Sequence, residues 1–458
     1  MIQRPSGNLL FSVAGARGIV GEGLNVDVVL RLTLAFCANL PGGDIVVGRD
    51  TRPSGESLES AVIGAVTASG RGCITLGVAT TPTVEMMVEK LGAAGGVIVT
   101  ASHNPVEWNA LKFLDDRGTF ISKTLGDAVH DTFVGEAFHF APATSTGDIT
   151  RYHQASRDHI DATLALPAVD SDGIRRRGFK VVVDAINGAG SVIAPDMLRE
   201  LGVDVVAMNC KTDGDFYRDP EPRPAHLGEL AERVRNENAD VGFALDPDAD
   251  RLALIDNNGV AISEEYTLAL AVDQILAGGT NGPVVVNLST SALIDWIANR
   301  HQTAVVRTPV GEAHVVSAMI RENSPIGGEG NGGVIYPELH PGRDGLLGMA
   351  LILQLLASRD VTLSDQVGEY PSFHMTKTKL DLGGAFSPER ISGLIEGLGP
   401  AKIDRQDGIK AIFDDGWFHV RVSNTEGVVR VIAESLSETR TAALQSMAEE
   451  VLNNSWGM

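Results

Sequence analysis

One pattern occurs three times along this chain of 458 residues and constrains its fold more than any other feature. In each copy a β-branched run leads into a polar or glycine-bearing turn, a helical segment and a second apolar run. The first runs are at residues 45–47, 181–183 and 284–286, and the second runs are at residues 73–78, 203–208 and 303–307. Strand–helix–strand units this far apart predict three similar α/β domains with mixed sheets rather than a solenoid.

Each copy continues into a further apolar run that ends in a loop of unusual composition. These loops are at residues 101–105, 246–251 and 327–333. From about residue 372 the pattern changes to short neighbouring strands separated by turns, with two helices, which predicts a small antiparallel α+β domain. The predicted domains are therefore residues 1–150, 151–256, 257–370 and 371–458.

The net charge of −22 argues against a nucleic-acid binder and against binding to an anionic membrane surface. It is compatible with an anionic small substrate, since a local cluster of arginines and lysines can focus a positive potential inside an acidic protein. No apolar run approaches the roughly 20 residues that span a bilayer. The three cysteines are far apart and form no Cys-x-x-Cys motif, which is typical of a reducing compartment and predicts a cytoplasmic protein.

The segment Thr-Ala-Ser-His-Asn-Pro at residues 100–105 places a serine at the end of a predicted strand. Small neighbours and the following proline favour an exposed Ser102 hydroxyl held by a turn. Ser102 is then either a nucleophilic, phosphorylated serine or part of an ordinary serine-rich turn. Its adjacency to His103 in sequence does not make the two a catalytic pair.

Three aspartates alternate in the loop after the second copy, at Asp246, Asp248 and Asp250. In an extended loop alternate side chains point the same way, so the three carboxylates can converge on one hard cation, and Mg²⁺ suits them. An EF-hand loop would need glycine and glutamate where Arg251 and Asn257 stand. The remaining alternative is a solvated acidic turn.

Two further loops carry groups that suit a phosphorylated sugar. Glu329 and Asn331 lie in a flexible, glycine-rich loop and could bracket adjacent sugar hydroxyls, although a plain turn has the same composition. Arg421 and Arg430 flank a turn whose hydroxyls and amides suit a phosphate dianion, although a turn between strands with solvated arginines is equally consistent. The polar residues of that turn are Ser423, Asn424 and Thr425.

In this order along nearly the whole chain, the motifs resemble one family, the α-D-phosphohexomutases. Residues 11–18 resemble the family's Gly-Ile-Arg-Gly segment, and Ser102 stands at its phosphoserine. Asn109 and Lys112 follow at the family's spacing. The three aspartates match its Mg²⁺ ligands, residues 328–332 its sugar-specificity loop and residues 421–426 its phosphate-binding loop. The resemblance implies four domains around a central cleft.

The resemblance also implies roles for these residues. Phospho-Ser102 exchanges its phosphoryl group with a hexose 1-phosphate or 6-phosphate, and a hexose 1,6-bisphosphate serves as intermediate and activator. Ser102 and the three aspartates hold Mg²⁺, Arg17 and Arg251 are catalytic arginines, and Lys112 is the candidate general acid and base. The substrate-binding set is His103, Glu329, Asn331, Arg421, Ser423, Asn424, Thr425 and Arg430.

The sequence departs from the family's bacterial pattern at several positions. The sugar loop reads Gly-Glu-Gly-Asn-Gly, which resembles the archaeal-type branch, and Glu312 stands where some members carry a histidine, with His314 two residues further on. Gly427 replaces a proline. We therefore expect a phosphomannomutase/phosphoglucomutase, with phosphoglucosamine mutase as the alternative. A metal-dependent phosphatase using Asp246 and a non-catalytic sugar-phosphate binder are remote alternatives, and either a monomer or a homodimer is compatible with the sequence.

Overall fold

Four β-sheets, each packed against helices, organise the chain. A computed structural model describes residues 9–381, 387–400, 402–422 and 428–456. Three of the sheets are mixed and the fourth is antiparallel, so the predicted fold class is confirmed.

The first sheet has seven strands. They are β1 (Leu10–Ser12), β2 (Gly15–Ile19), β3 (Ile45–Arg49), β4 (Cys73–Val78), β5 (Gly95–Val99), β6 (Trp108–Leu114) and β7 (Ile149–Arg151). Its helices are α1 (Val26–Ala38), α2 (Gly55–Ala68), α3 (Thr81–Lys90) and α4 (Lys123–Gly135). The spatial order is β1-β2-β6-β5-β3-β4-β7, in which β6 runs antiparallel to β5.

The second sheet has four strands in the order β11-β10-β8-β9. They are β8 (Lys180–Asp184), β9 (Asp204–Met208), β10 (Val241–Leu245) and β11 (Leu252–Ile255). Its helices are α5 (Ala155–Leu164), α6 (Ser171–Arg177), α7 (Gly190–Glu200) and α8 (Gly228–Glu237).

The third sheet has five strands in the order β13-β12-β14-β15-β16. They are β12 (Val284–Asn287), β13 (Val305–Thr308), β14 (Gly327–Glu329), β15 (Gly333–Tyr336) and β16 (His340–Arg343). Its helices are α9 (Glu265–Ala277), α10 (Leu293–Arg300), α11 (Glu312–Glu322), α12 (Gly345–Arg359) and α13 (Leu363–Gly368).

The fourth sheet is antiparallel throughout, in the order β17-β21-β20-β19-β18. Its strands are β17 (His374–Asp381), β18 (Lys402–Asp404), β19 (Ile409–Phe413), β20 (Gly416–Val422) and β21 (Val428–Ser435). Its helices are α14 (Pro388–Glu396) and α15 (Glu438–Trp456).

The three mixed sheets repeat one arrangement. A first strand (β3, β8 or β12) pairs in parallel with the strand after its helix (β4, β9 or β13) on one side. On its other side it pairs in parallel with a third strand (β5, β10 or β14). The first strands are buried on both faces, which explains their continuous β-branched runs. The loops at residues 101–105 and 246–251 follow the third strands β5 and β10, and the segment of residues 327–333 begins within β14, so the repeat places all three at the ends of the third strands.

The segment of residues 327–333 is a tight hairpin of β14 and β15 rather than the flexible loop that its glycines predicted. A Cβ atom on Gly328 would lie 2.1 Å from the carbonyl oxygen of Gly333, and one on Gly330 would lie 1.9 Å from Oε2 of Glu265. Glycine is needed here because backbone and neighbouring side chains approach too closely for any other residue.

The fourth sheet docks on the third domain through a polar face. Lys410 donates to the carbonyl oxygen of Leu288 (2.6 Å), and Lys377 donates to Glu264 and Glu265 (2.8 Å each). Among the residues described, no helix has the length and apolar character needed to cross a bilayer.

Candidate active site

Loops from the first three sheets meet at one cleft. Ser102, after β5, donates from Oγ to Oδ2 of Asp246, after β10, at 2.8 Å. Glu329, at the end of β14, is connected to the aspartate loop through Arg343. Ser102 lines a cavity of about 90 Å³ together with Lys112 and Arg251, yet only 7% of its surface is exposed. The expected exposed hydroxyl is thus a nearly buried one, because the aspartate loop of the next domain covers it.

The three aspartates converge as the sequence predicted, but they do so in a turn, with Ala249 at a φ of +58°, rather than in an extended loop. All are fully buried, and one carboxylate oxygen from each lies within 4.8 Å of the others. Lys112 donates to Oδ2 of Asp248 (2.7 Å), and Thr81 donates to the same oxygen (2.8 Å). Within the described part of the chain, Oδ1 of Asp248 and Oδ1 of Asp250 have no hydrogen-bond partner. Each of these two carboxylates therefore keeps one oxygen free.

The charge balance of this cluster fits a divalent cation. Burial raises the pKa of Asp246 well above its ordinary value, and the charges of Asp250 and Asp248 raise it further. Burial also opposes the ionisation of Asp248, but Lys112 outweighs it and holds that pKa below its ordinary value. Buried carboxylates with free oxygens repel one another unless a cation joins them, and hard oxygen ligands suit Mg²⁺.

Lys112 is an ammonium in this arrangement. Burial would lower its pKa, but Asp248 and Asp250 raise it above the ordinary value. A lysine that acts as a base requires a lowered pKa, whereas the neighbouring carboxylates raise the pKa of Lys112. A charged Lys112 is instead a proton donor within the cavity that Ser102 lines.

His103 and the two predicted arginines surround the same cavity. His103 Nδ1 lies 3.5 Å from Ser102 Oγ. Burial lowers the pKa of His103 well below its ordinary value, and the charges of Arg251 and Arg17 add to this effect, so the imidazole is neutral at pH 7. Arg17 donates to Oδ1 of Asn104 at 3.1 Å, and Arg251 Nε lies 3.7 Å from Oδ1 of Asp250.

Arg343, which the sequence analysis missed, connects the aspartate loop at residues 246–251 to the hairpin at residues 327–333. Its Nη2 donates to Asp250 Oδ2 (2.6 Å) and its Nη1 donates to Glu329 Oε2 (2.7 Å). Its Nε lies 3.1 Å from Oε2 of Glu312. A Cβ atom on Gly333 would lie 2.3 Å from Cδ of Arg343, so the arginine fills the space beside that glycine. The only sequence signal is its place at the end of β16, next to the α12 cap Asp344.

Glu329 is held rigidly at the hairpin. Besides Arg343, Nδ2 of Asn287 (2.9 Å) and the backbone N–H of Gly311 (3.1 Å) donate to its carboxylate. Asn331, at the hairpin tip, accepts from the Gly333 N–H at 3.2 Å and is half-buried. Glu312 is buried in this network, whereas His314 is exposed on α11, so Glu312 is the one that reaches the site.

The fourth sheet brings three basic side chains into one row. Lys379, Arg430 and Arg421 stand opposite one another across β17, β21 and β20. Arg421 is buried and its Nε donates to Asp407 Oδ2 at 2.8 Å, while the same Asp407 oxygen accepts from the Val310 N–H in the third domain. The predicted partners Ser423, Asn424 and Thr425 lie outside the described residues.

Models of the four domains of one family match the chain in order. They are the phosphoglucomutase/phosphomannomutase α/β/α domain I (residues 8–139), domain II (157–259), domain III (263–373) and C-terminal domain (382–451).

Relatives match over nearly full length. A phosphoglucomutase/phosphomannomutase of Thermococcus kodakarensis is 39% identical over 439 residues, 94% of this chain and 95% of that protein. A phosphoglucosamine/phosphogalactosamine mutase of Sulfurisphaera tokodaii is 32% identical over 437 residues, 94% and 96% of the two chains. The solved structure of a phosphoglucomutase/phosphomannomutase family protein of Burkholderia thailandensis is 24% identical, with a TM-score of 0.84 over 97% of this chain and 98% of that one.

Replacing Asp248 by asparagine is expected to weaken Mg²⁺ binding at least about tenfold, because the cluster loses one of its three carboxylates. Isothermal titration calorimetry measures the affinity. The matched control is Asp256→Asn, since Asp256 is a buried aspartate that accepts only backbone N–H groups at the turn after β11. Equal Mg²⁺ affinities for the Asp248 variant and the parent protein would contradict a metal site here.

The carboxylate beside the hairpin tip should make stability depend on pH. Burial raises the pKa of Glu265 from 4.5 to about 7 against the opposing charge of Lys377. The folded chain then binds this proton more tightly than the unfolded chain, so the contribution to stability is full below about pH 4.5 and is lost as the pH rises through about 7. Relative to the parent, Glu265→Gln should gain up to about 3 kcal/mol in unfolding free energy across that window.

The free energy of unfolding from urea titrations at several pH values checks this. Glu264→Gln is the matched control. Burial opposes ionisation of Glu264, but Lys377 lowers its pKa below the ordinary value. The difference in unfolding free energy between this variant and the parent should therefore stay constant above about pH 5. The same pH profile for both variants would contradict the assignment to Glu265.

Proposed function

Because the chain belongs to the phosphoglucomutase/phosphomannomutase family, we propose that it interconverts hexose 1-phosphates and hexose 6-phosphates through phospho-Ser102 and a hexose 1,6-bisphosphate. It is a phosphohexomutase, an enzyme that moves a phosphoryl group within a sugar. The observation that carries the proposed chemistry is the hydrogen bond from Ser102 Oγ to Asp246, which puts a serine hydroxyl directly against the carboxylate cluster.

The cluster would hold Mg²⁺ through Asp246, Asp248 and Asp250, and the ion would neutralise charge on the phosphoryl group. In the transfer to substrate, the bond from phosphorus to Ser102 Oγ breaks and a bond to the sugar hydroxyl oxygen forms. Lys112, being protonated, returns a proton to Ser102 Oγ. The resulting amine accepts the proton that the sugar hydroxyl loses, which leaves Lys112 charged again.

The rest of the site orients the sugar. Arg251 lines the cavity and is suited to stabilise charge during transfer. Glu329, held by three donors, and Asn331 are proposed to contact sugar hydroxyls that both orientations of the bisphosphate present. The basic row with Arg421 and Arg430 is proposed to hold the phosphate that does not react. Three free cysteine thiols support a cytoplasmic location.

Product analysis tests the reaction class. With hexose bisphosphate present as activator, the 1-phosphates of glucose, mannose and glucosamine are supplied in turn. A mutase forms the 6-phosphate. We propose that the 1-phosphates of glucose and mannose turn over faster than that of glucosamine, which is included because of the Sulfurisphaera relative. Release of free sugar and inorganic phosphate would instead indicate a phosphatase.

Incubation with a hexose 1,6-bisphosphate is expected to add one phosphoryl group to the parent enzyme. The adduct should be lost in Ser102→Ala, because the acceptor oxygen is then missing. Intact-mass spectrometry measures the adduct. The variant Asp246→Asn retains the Ser102 hydroxyl and shows whether loss of one carboxylate of the cluster slows formation of the adduct. An adduct that persists in Ser102→Ala would overturn the assignment.

Arg421→Ala is expected to lower kcat/KM about tenfold to a hundredfold, because a charge-assisted contact to phosphate is worth about 1.5–3 kcal/mol. Coupled kinetics measure the loss after phosphorylation of Ser102 has been confirmed. Arg405→Ala is the control, since Arg405 lies in the same domain and pairs with Glu396 on the surface. A kcat/KM within about twofold of the parent would place the phosphate anchor elsewhere.

A further inference from the structure

Ser102 has a backbone conformation that serine rarely adopts. Its φ is +48°, in the left-handed region, where a side chain crowds the backbone. Such a conformation persists only where the surroundings impose it. The ladder between β5 and β6 ends just before this residue, because the last backbone bond is from Thr100 N–H to the carbonyl oxygen of Ala110. Something beyond the sheet must therefore hold Ser102.

Three buried side chains hold it. The Ser102 N–H donates to Thr100 Oγ1 (3.0 Å), and Thr100 Oγ1 donates to Asp50 Oδ2 (2.6 Å). Arg52 pairs with the same Asp50 carboxylate. Arg52 Nη2 donates to the carbonyl oxygen of Ser102 (2.8 Å) and to that of Asn104. Both polar backbone groups of Ser102 are thus bound by one connected network.

Burying the polar and charged groups of this network costs desolvation free energy. Asp50 and Thr100 are fully buried and Arg52 is 1% exposed, and a buried ion pair is expensive to desolvate. Its outer side is closed by the second domain, where the ring of Phe216 lies 5.0 Å from the guanidinium of Arg52. An ordinary turn would not need a buried charge pair, since water satisfies the backbone of exposed turns.

We infer that Asp50, Arg52 and Thr100 are positioning residues for the phosphoryl carrier. This inference rests on the proposed role of Ser102. In the free enzyme the hydroxyl is oriented by its bond to Asp246, but a phosphorylated Oγ has no proton to donate. The network contacts only the backbone N–H and carbonyl oxygen of Ser102, so it keeps the same orientation in both states and returns Oγ to one position after each transfer.

The test compares two substitutions of Thr100. Thr100→Val keeps the shape but removes the hydroxyl, and Thr100→Ser keeps the hydroxyl. Because a small misplacement of a reacting group costs about a hundredfold in rate, we expect Thr100→Val to lower kcat about tenfold to a hundredfold with little change in KM. Thr100→Ser should retain kcat within about threefold, and the rate of Ser102 phosphorylation should follow the same order.

Thr33→Val is the matched control. Thr33 is equally buried in the same domain, and its hydroxyl donates to the Val29 carbonyl oxygen within α1. A general loss of stability would affect both valine variants, whereas positioning of Ser102 affects only the Thr100 variant. If Thr100→Val does not fold, Arg52→Lys replaces it. Arg52 reaches Asp50 through Nη1 and the two carbonyl oxygens through Nη2, whereas lysine keeps the charge but has all its donors on one nitrogen.

Hydrogen exchange separates this inference from the proposed function. Amides of residues 101–104 should exchange faster in Thr100→Val than in Thr100→Ser, whether or not the enzyme is phosphorylated. Unchanged exchange, or a kcat of Thr100→Val within about twofold of the parent, overturns the positioning role. If the parent takes no phosphoryl group, the proposed function fails, and the exchange comparison still decides whether the network holds the loop.

Discussion

The site depends on the balance of charge among carboxylates that are almost completely buried. Asp250, Glu312 and Glu329 surround the single guanidinium of Arg343, and two further aspartates lie beside them. Burial raises the pKa of Glu312, although Arg343 opposes it. Carboxylates in such number cannot all be charged without cations, so Lys112 and Arg343 stabilise the site, and a metal bound as proposed would neutralise further charge.

The repeated sheet arrangement explains how this charge accumulates at one place. In each mixed sheet the end of the third strand faces the cleft, so the serine and the aspartates, just after β5 and β10, and the glutamate, the last residue of β14, come from similar positions in three domains. Cross-domain bonds then join them, such as the one from Thr81 at the start of α3 to Asp248. A threefold repeat therefore brings three different kinds of side chain to one site from one backbone arrangement.

Sequence patterns were sufficient for parts of the chain whose signal is local. The strand–helix–strand units, the antiparallel last domain and the convergence of Asp246, Asp248 and Asp250 were predicted from periodicity and spacing. Strands β2 and β6 were among several that were missed, as was Arg343, whose contacts arise only where three distant segments meet. The hairpin at residues 327–333 was misjudged because glycine is used both for flexibility and for close approach, and composition does not distinguish them.

The hairpin of β14 and β15 leaves little room for larger side chains beside the site. Added Cβ atoms on Gly327 and Gly332 would lie 2.3 Å from the carbonyl oxygens of Val285 and Leu252, and Gly328 is closed by backbone in the same way. At Gly330 and Gly333 the obstacles are the side chains of Glu265 and Arg343. The carboxylate of Glu329 is already bound by Arg343. Asn331, half-buried at the hairpin tip, is therefore the residue whose replacement leaves the close contacts of these glycines intact. Under the proposed contact with the sugar, variation in specificity at this hairpin is confined to that position.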